Sequence, residues 1–184
     1  MTRLDPSRLL LIGLALVGAA LIALALARHL NPPDARNARP PLPYTLPDAR
    51  AFDRAGTARN LAGTRPRATA ILYVDARCPH GHAELALWAR LARDNPGLLE
   101  RVDPIVVLSQ ASTATDITFI PPPLRDRVLH DARGEVGAAL NVWSVPHVVY
   151  LDRHGIVRER TIGETDYQSL VRTLEGFVEE YGGP

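Results

Sequence analysis

Hydrophobic positions along this chain fall into three kinds of pattern, and each predicts a different element. The first is an unbroken run. Residues 9–27 form nineteen consecutive positions without a charge or a strongly polar side chain, close to the roughly 20 residues a helix needs to cross a bilayer. Arg3 and Arg8 precede the run, as in a signal peptide or a signal-anchor. Ala25-Leu26-Ala27 fits a small-x-small cleavage site, but the run exceeds the ~7–15 residues of a usual signal h-region, and that length favours an uncleaved anchor. The layout places the remainder of the chain outside the cytoplasm. Residues 28–45, rich in proline (Pro32, Pro33, Pro40, Pro41, Pro43), read as a stiff extended spacer. The folded domain is expected over 46–184.

The second pattern is a short apolar run bounded by breakers. Thr69 to Asp75 and Pro104 to Ser109 read as strands buried on both faces. Between them Leu85, Trp88, Ala89 and Ala92 recur at helical spacing up to about Arg93, and Asn95-Pro96-Gly97 signals a stop. Strand, crossover helix and strand make a parallel βαβ unit. Before it, Leu46 to Leu61 contains the turn Asp53-Arg54-Ala55-Gly56 between two short strands, an N-terminal hairpin. After it, His147–Leu151 and Ile156–Ile162 flank Asp152-Arg153-His154-Gly155 as a second hairpin.

The third pattern is a clear helical period. Tyr167, Leu170, Val171, Leu174, Phe177, Val178 and Tyr181 share one face, with Thr165 and Gln168 as a capping box and Gly182 as the stop. A short helix is expected over 134–141. Gln110 to Arg133 carries Pro121-Pro122-Pro123 and is expected to lack regular structure at its centre. The sum is an α/β domain, a central mixed sheet with helices on both faces, preceded by a transmembrane helix.

Composition narrows the chemistry. With 184 residues the chain holds one domain plus an appendage, and 21 basic against 20 acidic residues leave a net charge of +1, which excludes a nucleic-acid binder relying on net basicity. All 21 cations are arginine, which reads as coding bias. Cys78 is the only cysteine. It excludes an intramolecular disulfide and a multi-cysteine zinc site.

A buried strand ending before Cys78-Pro79-His80-Gly81, with a helix after it, resembles the active-site corner of thioredoxin-like proteins. The segments Val128–Val136, Asn141–His147 and Val148–Ile156 strengthen the likeness. They resemble the TlpA/ResA-type redoxins, which are membrane-tethered and work outside the cytoplasm. The resemblance implies a thioredoxin-like fold, with Pro146 a cis-proline facing Cys78 and Val145 offering its backbone to an extended substrate. Pro79 would border the same site, and Trp143 reads equally as a core residue or as part of an apolar rim for substrate. It also implies protein thiols or disulfides as partners, attachment to the membrane through residues 9–27, and no cofactor. One departure is decisive: the second cysteine of the Cys-x-x-Cys pair is Gly81 here, so only one-thiol chemistry or none remains.

Cys78 stands at an expected helix N-terminus with Pro79 at the first helical position, where orphan N–H groups and the helix dipole stabilise a thiolate. His80, when protonated, and Arg77 add positive charge. A low thiol pKa in such a setting marks reactive cysteines. The opposing reading is an inert residue in a relic site. A one-cysteine peroxidase is disfavoured, because Asp75 stands where peroxiredoxins need Thr or Ser. Metal binding is a further alternative: Cys78 and His82 share a helix face, and His147 could approach from the opposite loop, a set suited to copper. Only one thiolate is present, and a helix N-terminus disfavours cations. His130 beside Asp131 reads as a loop residue with a local partner, His154 as a turn residue, and Asp75/Arg77 and Glu159/Arg160 as solvated charges.

Overall fold

The computed structural model describes residues 40–109 and 117–182. The expected transmembrane segment and most of the spacer lie outside the described residues. Among the described residues, no helix is long and apolar enough to cross a membrane.

The strands are β1 (Tyr44–Thr45), β2 (Arg50–Phe52), β3 (Ala58–Asn60), β4 (Ala68–Val74), β5 (Val102–Leu108), β6 (Val128–His130), β7 (His147–Leu151) and β8 (Ile156–Ile162). The helices are α1 (Pro79–Asp94), α2 (Pro96–Arg101), α3 (Glu135–Ala139) and α4 (Tyr167–Tyr181), with a 3-10 turn at Pro122–Arg127. The strands form one mixed sheet in the order β1-β8-β7-β4-β5-β6-β2-β3. β4 pairs parallel with β5 through α1 and antiparallel with β7. Every residue of β4 is buried, as its uninterrupted apolar sequence requires of a strand covered on both sides.

Alternation along β4 divides the core into two layers. Ala68, Ala70, Leu72 and Val74 pack with Leu85, Trp88 and Leu91 of α1 and with Leu170, Leu174 and Phe177 of α4. Ile71 and Tyr73 face the other way, onto Leu46, Ala51, Leu61, Val136 and Leu140. Each fully buried Leu or Val contributes on the order of 1.5–3 kcal/mol relative to exposure.

Several local expectations are corrected. Tyr44 and Thr45 are not spacer: they pair with Val157 and Ile156 as an edge strand. Asn95 does end α1, but Pro96 at once begins α2, because proline is well placed at the first helical position. The triproline segment is not irregular throughout. It leads into the 3-10 turn and β6, with Ile117, Ile120 and Leu124 buried beneath α1. The cap of α4 is Asp166, not Thr165: its carboxylate accepts the Ser169 N–H at 2.9 Å and the Ser169 hydroxyl at 2.6 Å. Gly155, at φ +76°, closes the β7–β8 turn where a Cβ would lie 2.7 Å from the Gly63 carbonyl oxygen, so this position excludes a side chain twice over.

Asp131 is the missed anchor of the β6–α3 junction. Fully buried, it accepts the Tyr73 hydroxyl at 2.9 Å and the N–H groups of Val136 at 3.2 Å and Gly137 at 2.8 Å. It therefore serves α3 and β4, not His130. His130 is buried with neither ring nitrogen hydrogen-bonded, and burial, reinforced by Arg54, pushes its pKa down. Asp131→Ala is expected to cost about 2–4 kcal/mol, since it strands three donors, two of them in buried hydrogen bonds, whereas Tyr73→Phe is expected to cost about 1 kcal/mol. Urea denaturation of the two variants checks the ranking, and equal costs would contradict it.

Candidate functional site

The corner after β4 is built from its own backbone. The Cys78 N–H donates to the Asp75 carbonyl at 3.0 Å, closing the turn Asp75-Ala76-Arg77. Asp75 is not a freely solvated charge: its carboxylate accepts the Arg77 N–H at 2.8 Å and the Ser109 hydroxyl at 3.0 Å, tying the turn to the end of β5. Burial pushes its pKa up, but these bonds and the Arg77 guanidinium outweigh it and hold the carboxyl below its ordinary range. Cys78 is the N-cap of α1, in extended conformation, with Pro79 at the first helical position.

Cys78 is half-buried. Its thiol donates to the Val145 carbonyl at 3.7 Å, and the Val145–Pro146 peptide bond is cis. The Pro146 carbonyl in turn accepts the Gly163 N–H at 2.9 Å, which carries the following residue, Glu164, to the mouth of the site. There the Glu164 carboxylate meets the His80 Nδ1 at 2.8 Å, with both side chains exposed. The expected residues Cys78, Pro79, His80, Val145 and Pro146 thus converge. Trp143, two residues before Val145, is 58% exposed, a large apolar surface on the same loop.

The metal alternative is not supported. The His82 Nε2 is bonded to the Ala76 carbonyl at 2.7 Å, and its ring stacks on Phe119 with centroids 4.7 Å apart. His147 is fully buried in β7, opposite Tyr73. Among the described residues no group of three or more His, Cys, Asp or Glu is placed to hold a metal ion.

Two acidic residues escaped the sequence reading. Glu164 carries no spacing signal, because only the return of β8 brings it to His80. Glu84 had one: it lies four residues before Trp88 on the apolar stripe of α1. It is 1% exposed, and it accepts the Trp88 indole N–H at 3.0 Å and the Thr165 N–H at 3.2 Å. Burial pushes its pKa up, only partly countered by these two donors, and Glu164 adds a smaller push the same way.

No family model and no curated protein sequence matches the chain. Solved structures do. A Chlorobium tepidum protein described as thiol:disulfide interchange protein DsbE superposes with a TM-score of 0.59 at 16% identity, over 77% of this chain and 97% of that one. The exposed lipoprotein thioredoxin of Streptococcus pneumoniae gives 0.54 at 16% identity, over 71% and 99%. A secreted disulfide oxidoreductase of Mycobacterium tuberculosis gives 0.54 at 21% identity, over 69% and 94%. This chain has a thioredoxin-like fold. The expected redoxin architecture is therefore present, and the thioredoxin-like corner holds a single sulfur.

Glu84 supplies a test of this buried flank. A carboxyl whose folded pKa is raised above the unfolded value of about 4.3 binds its proton more tightly in the folded state. Its contribution to stability is fully present below the unfolded value and is lost as pH rises through the folded one. Urea denaturation across about pH 4 to 8 should show the wild type losing stability relative to Glu84→Gln as pH rises. Parallel curves would mean that the carboxyl titrates as if in water.

Proposed function

We propose that this protein is a membrane-tethered, extracytoplasmic thiol-redox protein that works with one cysteine, forming mixed disulfides with partner proteins. The observation that carries the reading is the placement of Cys78: a half-buried residue at the N-cap of α1, with its sulfur 3.7 Å from the Val145 carbonyl beside a cis-proline. The thiolate is the nucleophile of such a sulfur. The uncharged run at 9–27 supports the tether. The described neighbours, an exposed lipoprotein and a secreted oxidoreductase among them, support the compartment by analogy of fold.

The step balances with one protein sulfur. The Cys78 thiolate attacks one sulfur of a partner disulfide, the partner S–S bond breaks, and the other partner sulfur leaves as a thiolate. Cys78 remains joined to the partner. With Gly81 in place of a resolving cysteine, release requires a thiol from outside, which attacks the mixed disulfide and regenerates the Cys78 thiolate. Val145, with its carbonyl toward Cys78, and the exposed Trp143 supply the surface on which a partner segment would rest; Glu164 holds His80 at its edge. A non-catalytic module on the same fold is the competing reading, and the reactivity of Cys78 separates the two.

The wild type is expected to form a one-to-one mixed disulfide with an aromatic disulfide such as 5,5′-dithiobis(2-nitrobenzoate), but not to catalyse repeated reduction of insulin. A Cys78 sulfur that reacts no faster than in the urea-unfolded chain would favour the non-catalytic module. Gly81→Cys is expected to create a working dithiol. A Cβ at Gly81 would lie 3.7 Å from the Cys78 Cβ and no closer than 3.5 Å to any other atom, within the Cβ separation of about 3.5–4.5 Å that a disulfide needs. Mass spectrometry after mild oxidation should find the 78–81 bridge, and insulin reduction should then turn over. A folded variant that stays reduced would contradict the corner geometry.

A further inference from the structure

At the end of the sheet remote from Cys78, β6 and the β2–β3 hairpin separate. β2 meets β6 at one residue pair, Phe52 with His130, and beyond it the hairpin diverges. The gap is a cleft of about 370 Å³, within the size range of small-molecule sites. Its floor includes Ile105 and Leu129, apolar residues left partly exposed. Asp103 stands opposite Thr69 near the start of β4, whereas Cys78 follows the end of β4, so the cleft and the thiol lie at opposite ends of the strands.

Three guanidiniums reach this cleft, and they are not equivalent. Arg59 is paired with Asp53 at 3.4 Å, and Arg127 is paired with Asp103. Arg65 has no carboxylate partner among the described residues. Its Nη2 donates to the Leu61 carbonyl at 2.6 Å, but its Nε is buried without any hydrogen-bond partner. Burial pushes its pKa below the ordinary arginine value. A buried, unpaired guanidinium N–H is costly. The guanidinium also meets the cleft at nitrogens that are not buried, and a carboxylate seated there would make charge-assisted bonds. Asp126 on the cleft wall has no ion pair among the described residues, so the cleft's three arginines are balanced by three aspartates. One added negative charge is tolerated there better than two.

We propose that this cleft binds a small organic monocarboxylate, with its carboxylate on the Arg65 guanidinium and its short apolar body over Ile105 and Leu129. The site is independent of the thiol chemistry, and Cys78→Ser should leave binding unchanged. The probe is 4-methylpentanoate, titrated calorimetrically into the full chain in detergent micelles, with 4-methylpentan-1-ol and inorganic phosphate as comparators. Saturable binding of the acid is expected, with amide NMR shifts confined to residues 59–65, 103–105 and 126–130. The alcohol should fail to compete, and phosphate should bind more weakly. Arg65→Lys, which keeps the charge but loses the planar fork, should weaken binding roughly tenfold or more. The shift map is read on the wild type, so it decides the question even where a variant folds poorly. Absence of saturable binding, shifts elsewhere, equal binding of the alcohol, tighter binding of phosphate, or undiminished binding in folded Arg65→Lys would each overturn the proposal.

Discussion

The pairing of β4 with β7 is the constraint on which the site depends. The two strands run antiparallel, with Tyr73 opposite His147, so the chain leaving β4 and the chain entering β7 emerge at the same place. Cys78 lies five residues beyond one member of that pair and Val145 two residues before the other. Their contact at 3.7 Å is therefore a consequence of sheet register, before any side chain is considered. Register is firmly held here because both faces of β4 are buried. A one-residue slip would exchange Leu72 and Val74 for Ile71 and Tyr73 against helices shaped for the former.

Polar groups then fix what the register brings together. Asp75 ties the cysteine turn to β5 through Ser109, and Asp131 ties β6 and α3 to Tyr73 of β4. Glu84 joins α1 to the loop after β8 through the Thr165 N–H. Each carboxylate receives donors from an element distant in sequence, so each costs desolvation and offsets it with hydrogen bonds whose geometry admits few alternatives. The corner around Cys78 is held from three directions and needs no second sulfur to keep its shape. That separates structural persistence of the corner from the two-cysteine chemistry usual in this setting, and it is why a single thiol can retain a defined environment.

The two ends of the strands carry different chemistry for a topological reason. At the carboxyl ends of β4 and β5, a helix begins and its N–H groups face the cysteine. At the other end the divergence of the β2–β3 hairpin leaves guanidinium and carboxylate groups around an apolar floor.

The fold was legible in the sequence because its signals are local. The apolar runs of β4 and β5, the turn at Asp152–Gly155 and the helical period ending at Tyr181 each lie within a few residues and answer to backbone sterics and burial. The cis bond at Pro146 and its loop's approach to Cys78 were expected by resemblance, and the missing partner at Gly81 was plain from a single cysteine. What remained hidden depends on separation in the chain. Glu164 reaches His80 across 84 positions, and Asp131 reaches Tyr73 across 58. The α4 cap was misplaced by one residue, because Thr165 and Asp166 are both good caps and only tertiary packing spends the Thr165 N–H on Glu84. Period and propensity determine which segments become strands and helices. Which charges meet is decided only when the sheet closes, since a carboxylate's partner is set by distance in space and not by distance along the chain.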